Sequence, residues 1–234
     1  YSRRIKNIKR KNNENLEKQR TQKDLLETEL KALRSQMNPH FIFNSINSIQ
    51  DLILKEDTDA SYDFIVLFAE LVRNTLNYSN QDFIPFDKEI EFLNVYLSLE
   101  KLRFKDEFSY QIETNGIQGI LVPSLLVQPF IENALLHGLL HREGLKKLSI
   151  RFELDEELTC VIEDNGVGRA KSREIQERQA SGHKSFALEA INKRLELINH
   201  QNNQNAGYTI EDLISDNKAI GTRVTIKLPF KRIY

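Results

Sequence analysis

Cysteine is almost absent from this sequence, whose 234 residues include a single cysteine, Cys160. An intrachain disulfide is therefore impossible, and a reducing compartment is the simplest interpretation. Cys160 lies in a run that alternates between apolar and polar residues, at positions 158–162. We therefore expect it to pack inside a strand rather than to act as a reactive thiol.

Long hydrophobic runs and an excess of either charge are also missing. No stretch of about 18 apolar residues occurs, so no membrane-spanning helix is predicted within the sequence. The 33 basic and 34 acidic residues leave a net charge of -1, whereas nucleic-acid binders usually carry an excess of basic charge. We expect no direct contact with nucleic acid. Hydrophobic residues make up 40% of the chain, enough for a core, and the length suits two modest domains.

The start of the chain is basic and contains no acid. Six basic residues follow Tyr1, namely Arg3, Arg4, Lys6, Lys9, Arg10 and Lys11. An interfacial aromatic followed by basic residues is typical of the cytoplasmic end of a membrane-spanning helix. This predicts a span directly before residue 1, and a location at the cytoplasmic face of a membrane. The alternative is the solvated start of a basic helix.

The first half of the sequence is predicted to be helical. Residues 13–37 contain neither Gly nor Pro, and Leu26, Leu30, Leu33 and Met37 follow coiled-coil spacing. This predicts a linker helix, unless it packs as one amphipathic helix on its own domain. We expect Pro39 to bend the helix. A polar break at residues 55–59 separates it from a second helix, which makes a helical hairpin. Residues 82–87 are predicted as a loop and residues 89–104 as a third helix.

The second half alternates strands and helices, so the predicted fold class is α+β with a mixed sheet and helices on one face. Pro123 is predicted to begin a helix that continues to Leu140 with a kink at Pro129. The polar residues 169–184 are predicted as a loop or a partly helical lid. The remaining elements are strands at 108–114, 148–154, 158–163, 208–213 and 222–228, and a helix at 186–200.

Three polar segments of this second half carry candidate chemistry. Asn133 and His137 are four apart on a predicted helix and share one face. An amide oxygen suits Mg2+ and an imidazole can contact phosphate oxygens. Asp164-Asn165-Gly166-Val167-Gly168 follows a strand, where a carboxylate can accept a hydrogen bond from an adenine amine. Gly221-Thr222 enters the last strand. Taken singly, each segment is better explained as a satisfied core pair or an ordinary turn.

The order of the three segments resembles the ATP-binding fold shared by gyrase, Hsp90, MutL and histidine kinases. The resemblance implies that Asn133 binds Mg2+, that Asp164 recognises adenine and that Glu132 supports a Mg-bound water or the phosphates. It also implies a lid at residues 169–187. The other implied nucleotide contacts are His137, Gly166, Gly168 and Thr222. Leu136 stands where relatives often have Lys, and Lys184 and Ser185 replace glycines after the lid, where they could contact phosphates.

The segment at residues 36–47, Gln-Met-Asn-Pro-His-Phe-Ile-Phe-Asn-Ser-Ile-Asn, is the most specific in the chain. It resembles the phosphoacceptor motif of LytS-like (YehU-like) sensor histidine kinases. The resemblance continues at residues 71–74, 96–104, 122–123 and 128–133. It implies that His40 is phosphorylated by Mg-ATP and passes the phosphoryl group to an aspartate of a response regulator, often one with a LytTR DNA-binding domain. A neutral imidazole is nucleophilic at pH 7.

The resemblance also implies a domain plan and a homodimer. Residues 1–36 would form the juxtamembrane coiled-coil linker, 37–105 the phosphoacceptor and dimerisation domain, and 106–234 the ATP-binding domain. Two hairpins would associate as a four-helix bundle at the bacterial inner membrane. Two alternatives remain: an ATPase of the same fold, which leaves the His40 segment without a role, and a degenerate kinase that only forms a scaffold.

Asn44 provides a first prediction. It lies one helical turn after His40 and shares its face, so it can orient the imidazole or a water. We expect Asn44→Ala to change the rate of phosphorylation or of dephosphorylation of His40, measured with radiolabelled ATP. Unchanged rates for both reactions would exclude this role.

Overall fold

The computed structural model describes residues 39–178, 186–202, 205–215 and 218–233. The predicted linker helix, Lys184 and Ser185 lie outside these residues. The chain divides into two compact units, residues 1–50 and 51–234. The first described helix, α1 (Pro39–Leu54), spans the boundary between them. Because the description begins at Pro39, the predicted bend there stays a prediction.

Two further helices confirm the helical first half. Helix α2 (Thr58–Ser79) begins after Asp57, whose side chain accepts a hydrogen bond from the Ala60 N–H and so caps the helix. Helix α3 spans Phe86–Phe104. Helices α2 and α3 pack against each other, with the rings of Tyr78 and Phe92 in an edge-to-face contact at 6.4 Å between centroids.

The prediction of a loop at residues 82–87 is wrong. A short strand, β1 (Phe83–Pro85), occupies most of it, and helix α3 begins directly afterwards. Strand β1 pairs with β3 (Ile120–Pro123), which in turn pairs with β8 (Lys231–Arg232) in a small antiparallel sheet. Each strand is too short to show periodicity in the sequence, and two of them end in proline.

The main sheet has five strands in the order β2-β4-β5-β7-β6. Strands β2 and β4 are parallel and the other neighbours are antiparallel, so the sheet is mixed as predicted. Cys160 is fully buried in β5, as expected. The bounds are β2 (Phe108–Glu113), β4 (Lys146–Leu154), β5 (Leu158–Asp164), β6 (Gly207–Ser215) and β7 (Lys218–Leu228).

The helix predicted from Pro123 begins later than expected. Pro123 ends β3, Leu125 adopts a positive φ of 53°, and helix α4 starts at Gln128. Pro129 occupies the first turn of α4, where a missing N–H costs nothing, so the predicted kink at Pro129 is wrong. Helix α4 is α-helical over Gln128–Asn133 and π-helical over Ala134–Leu139.

Helices and sheet meet through aromatic contacts. The Phe130 ring of α4 lies 4.9 Å from the ring of Tyr208 in β6, measured between centroids. The Phe86 ring, at the start of α3, lies 5.1 Å from that of Phe152 in β4. The polar segment predicted as a loop or lid is helical in its first part, α5 (Arg169–Arg178), and α6 (Phe186–Asn202) follows it.

The predicted α+β class is therefore confirmed, with a helical part followed by a mixed sheet that carries helix α4. Within the described ranges, no helix is both long enough and apolar enough to cross a lipid bilayer.

The core of the main sheet provides a stability prediction. Ile150 in β4 is completely buried, whereas Ile214 in β6 is 66% exposed. We expect Ile150→Ala to lower the free energy of unfolding by about 2–5 kcal/mol, because the change removes buried methyl groups and leaves a cavity. The same change at Ile214 should cost less than about 1 kcal/mol. Urea unfolding followed by circular dichroism measures both. Equal losses would contradict the described sheet.

Candidate functional site

The candidate site is built around the side chain of Asp164, at the end of β5. Asp164 is 5% exposed, and its Oδ1 accepts a hydrogen bond from the Gly166 N–H at 2.7 Å. The backbone N–H of Thr222 also donates to this carboxylate. Thr222 lies opposite Asp164 in the β5–β7 register and opposite Asp212 in the β6–β7 register. The three predicted residues Asp164, Gly166 and Thr222 therefore meet at one point.

Glycines allow the backbone to approach this carboxylate closely. A Cβ atom on Gly138 would lie 2.8 Å from Asp164 Oδ1, and one on Gly166 would lie 2.6 Å from the same atom. A Cβ on Gly221 would overlap the Asp164 carbonyl oxygen. Real Cβ atoms do not approach other atoms this closely, so any side chain here would force the strands or helix α4 apart. Asp164 thus sits in a cradle formed by Gly138, Gly166 and Gly221.

The π-helical end of α4 brings Gly138 into the cradle. The Leu140 N–H donates to the Leu135 carbonyl at 2.8 Å, five residues back, which is the π pattern. The carbonyl of Gly138 accepts a hydrogen bond from the Val167 N–H at 3.2 Å. This bond ties the helix to the turn after β5. Turns of π-helix are frequent at functional sites because they widen the helix locally.

Burial controls the charge of Asp164. Desolvation raises the pKa of Asp164 to about 6, against hydrogen bonds from the Gly166 and Thr222 N–H groups, which lower it. The nearby carboxylate of Asp212 adds a smaller upward effect on this pKa. Asp164 is therefore mostly ionised at neutral pH and can accept a further hydrogen bond from an amine. It protonates as the pH falls through about 6.

Hydrogen bonds from two side chains, Asn165 and Arg142, hold the backbone of the turn after Asp164. The Asn165 side chain accepts a hydrogen bond from the Lys147 N–H at 2.8 Å and donates to the Leu145 carbonyl at 3.0 Å. The guanidinium of Arg142 donates to the carbonyl oxygens of Asn165 and Leu145. Arg142 and Asn165 therefore fix the backbone that carries Gly166.

An ion pair closes the other side of the turn. Gly168 has a φ of 78°, and a Cβ on it would lie 2.5 Å from the Cβ of Ala219. The next residue, Arg169, donates three side-chain hydrogen bonds to the carboxylate of Asp212, one at 2.9 Å and two at 3.1 Å. Arg169 begins helix α5, so this pair fixes the start of the predicted lid against strand β6.

The predicted magnesium and phosphate ligands lie on α4. Glu132 and Asn133 are half-buried at the end of its α-helical part. The Glu132 carboxylate accepts a hydrogen bond from the Gln128 side chain at 2.8 Å. His137 is exposed in the π-helical part, and its pKa is lowered by partial desolvation first and by His141 second. A neutral imidazole results, which can donate one hydrogen bond to an anion.

The phosphoacceptor segment lies on α1. His40 is the second residue of this helix, and its side chain is outside the described part of the chain. Asn44 is half-buried one turn later, and its carbonyl accepts a hydrogen bond from the Ser48 hydroxyl at 2.9 Å. Lys184 and Ser185 belong to the segment that is not described. The roles of these four residues stay predictions.

Gly138, Asp212 and Arg142 are the site residues that sequence reasoning missed. Gly138 ends the same segment as Asn133 and His137, so its position was a signal. Asp212 lies in a strand that appears ordinary in sequence, and only the pairing of β6 with β7 places it near Thr222. Arg142 lies in a loop without periodicity, where sequence gives no signal.

Comparison with known proteins supports the resemblance to sensor histidine kinases. The family model described as histidine kinase matches residues 28–108. The sensor protein LytS of Staphylococcus haemolyticus is 32% identical over 178 residues, which cover 73% of this chain and 30% of that protein. The sensor histidine kinase/phosphatase LytS of Staphylococcus aureus strain MRSA252 is 33% identical, over 75% of this chain and 31% of that protein. The chain thus spans about a third of the length of these relatives.

Among solved structures, the histidine kinase domain of the blue-light activated histidine kinase from Erythrobacter litoralis EL346 matches 88% of this chain and 95% of that chain. The sequence identity is 14% and the TM-score is 0.46. The match to the family model and the sequence relationship to the LytS proteins support a LytS-like sensor histidine kinase.

Proposed function

We propose that this chain is the catalytic part of a sensor histidine kinase, which binds Mg-ATP, phosphorylates its own His40 and passes the phosphoryl group to an aspartate of a response regulator. The observation that carries the proposal is the buried, ionised Asp164 in its glycine cradle. A carboxylate so placed recognises a flat ring that bears an amine. Sequence similarity to the LytS-like kinases makes adenine the expected ring.

The adenine end of the site uses Asp164 and the glycines around it. One oxygen of Asp164 is already bonded to the Gly166 N–H, so the other can accept a hydrogen bond from the adenine amine. Because the surrounding residues lack side chains, backbone atoms can lie flat against the ring. Thr222 lines the base end of the site, and Gly168 shapes the turn beside it.

The phosphate end of the site uses helix α4. Mg2+ typically takes one or two protein oxygens and fills its shell with phosphate oxygens and water, which fits a single amide ligand, Asn133. Bound there, Mg2+ would neutralise charge on the triphosphate. Glu132, held by Gln128, is placed to accept a hydrogen bond from a metal-bound water. Neutral His137, with Lys184 and Ser185, would contact phosphate oxygens.

The imidazole of His40 acts as the nucleophile. One of its ring nitrogens attacks the γ-phosphorus, the bond to the β-phosphate oxygen breaks, and ADP leaves. The other ring nitrogen holds the proton. Asn44 would orient the ring or a water beside it. The resulting phosphoramidate bond is labile enough to transfer the group to a carboxylate of the response regulator.

The exposed apolar side chains of the helical hairpin support a homodimer. Leu54 at the end of α1 is 76% exposed, and α2 exposes further large apolar residues, namely Tyr62, Ile65, Val66 and Leu76. We propose that these residues pack against a second copy in a four-helix bundle. A membrane span outside this sequence would anchor the dimer at the cytoplasmic face of the inner membrane, and a LytTR-type regulator would be the partner.

The first functional prediction concerns His40. Incubation of the dimer with γ-labelled ATP and Mg2+ should label the protein with acid-labile, base-stable phosphate. His40→Gln should abolish the label, because glutamine has no nucleophilic ring nitrogen. His200→Gln, an exposed histidine near the end of α6, should leave the label intact. Hydrolysis of ATP without label would favour an ATPase, and the absence of both activities would favour a scaffold.

The second functional prediction concerns the pH dependence of ATP binding. Because the pKa of Asp164 is raised to about 6, its carboxylate loses acceptor capacity as the pH falls through 6. We expect the ATP affinity of the wild type, relative to Asp164→Asn, to fall about tenfold between pH 7.5 and pH 5. The ratio of the two affinities removes the effect of protonation of ATP itself, because both proteins bind the same ATP. Isothermal titration calorimetry measures both proteins.

The matched control for this experiment is Asp155→Asn, in the exposed turn between β4 and β5. This variant should follow the wild-type profile at every pH. A constant ratio between wild type and Asp164→Asn would mean that Asp164 does not contact the base.

A further inference from the structure

The loop that leads into helix α4 is held by a buried acid from helix α3. Glu89 is 1% exposed, and its Oε2 accepts a hydrogen bond from the Leu125 N–H at 3.1 Å. The Val127 N–H also donates to this carboxylate. Val127 is the N-cap residue of α4, where the first N–H groups of a helix lack partners within the helix. Glu89 thus satisfies the backbone at the start of α4.

A half-buried base from helix α6 holds the same loop. The guanidinium of Arg194 donates to the hydroxyl oxygen of Ser124 at 3.1 Å. The Ser124 hydroxyl in turn donates to the carbonyl of Gln81, and its N–H donates to the carbonyl of Asp82 at 3.2 Å. Desolvation raises the pKa of Glu89 and lowers that of Arg194, and the charge of each group opposes the shift of the other, so the two groups lie near each other.

Burial of a carboxylate in this way costs free energy, so stability alone does not explain the arrangement. Burial raises the pKa of Glu89 to about 7, against the Leu125 and Val127 N–H groups and Arg194. The Glu89 Oε1 atom accepts no hydrogen bond from any described residue. Apolar residues of similar volume often replace buried ion pairs without loss of stability. The two charged groups therefore contribute geometric definition rather than simple stability.

Glu89 and Arg194 fix the backbone between β3 and α4. Leu125 has a φ of 53°, a sparsely populated conformation for a residue with a branched side chain. The hydrogen bond to Glu89 fixes this residue, and the bond from Arg194 fixes its neighbour Ser124. The position of the loop determines where α4 begins, and Asn133 lies six residues beyond Val127 on that helix.

Other charged groups face the pair. Asp82, in the segment before β1, acts on the charge of Arg194, while Glu89 acts on Tyr78 of α2 and Cys160 of β5. The pKa values of Tyr78 and Cys160 are raised, mainly by desolvation, so both groups are neutral at neutral pH. Arg194 is therefore shared between two acids, and helix α6, which follows the predicted lid segment, is joined through it to the start of α4.

We propose that Glu89 and Arg194 are positioning residues of the nucleotide site, which set the place of Asn133 for the metal-bound triphosphate. The inference rests on the proposed function, because it assumes that Asn133 is the magnesium ligand. It adds that the metal end of the site depends on helices α3 and α6, whereas the adenine end depends on strands β5 and β7.

The test compares ATP binding with and without metal. We expect Glu89→Gln to weaken the affinity for ATP in Mg2+ about tenfold, because an amide replaces the carboxyl that accepts hydrogen bonds from the loop, and its NH2 group cannot accept one. Its affinity for ATP in EDTA should equal that of the wild type, since Asp164 and its cradle are unchanged. Glu91→Gln, two residues along α3 on an exposed pair with Lys88, is the matched control and should bind as the wild type does.

Coupling between the two residues gives a second readout. Arg194→Gln should produce a similar loss in Mg2+, and the double variant should lose no more than either single variant, because both act through one loop. Should Glu89→Gln fail to fold, Ser124→Ala, which removes only the hydroxyl between Arg194 and the loop, is expected to give a several-fold loss confined to Mg2+.

Two outcomes would overturn the inference. Equal losses in Mg2+ and in EDTA would show a general structural role, and additive losses would show that Glu89 and Arg194 act separately. These results leave the proposed function intact. A wild-type protein that binds no ATP would instead remove the proposed function, and the inference with it.

Discussion

The close approach of three backbone segments to one buried aspartate is the constraint on which the rest of the site depends. Asp164 ends β5, and its cradle comes from helix α4, from the turn after β5 and from β7. Each contact is possible only because a glycine is present. The carboxylate is consequently desolvated, which raises its pKa to about 6, and it still remains mostly ionised at neutral pH. In its ionised form the carboxylate can accept a hydrogen bond from a neutral amine.

Helix α4 connects this cradle with Glu132 and Asn133, at the proposed metal end of the site. Its π-helical part places Gly138 against Asp164, and its α-helical part carries Glu132 and Asn133. The start of the helix is fixed by Glu89 and its end by the hydrogen bond from Val167 to Gly138. Both ends of the helix are therefore tied to other elements, which suits its proposed role of holding two parts of one nucleotide at a set separation.

The sequence predicted those elements whose residues carry their own pattern. Strands β4 and β5 alternate clearly and appeared within two residues of their predicted bounds. Strands β1 and β3 were missed, because short segments containing Pro85 and Pro123 have no periodicity and become strands only by pairing with each other. The predicted start of α4 was wrong for a related reason. Proline is common at helix starts, but Pro123 and the residues before it belong to strand β3 of the small sheet.

The sequence by itself determined the family, the order of the nucleotide motifs and the identity of the candidate phosphoacceptor, His40. These features depend on residue types at fixed local spacing, which a linear pattern preserves. Only the tertiary structure decided that Gly138 touches Asp164, that Arg142 supports Asn165, and that Glu89 and Arg194 hold one loop. Such contacts join residues far apart in the chain, and they arise from the packing of helices on a sheet rather than from any local propensity.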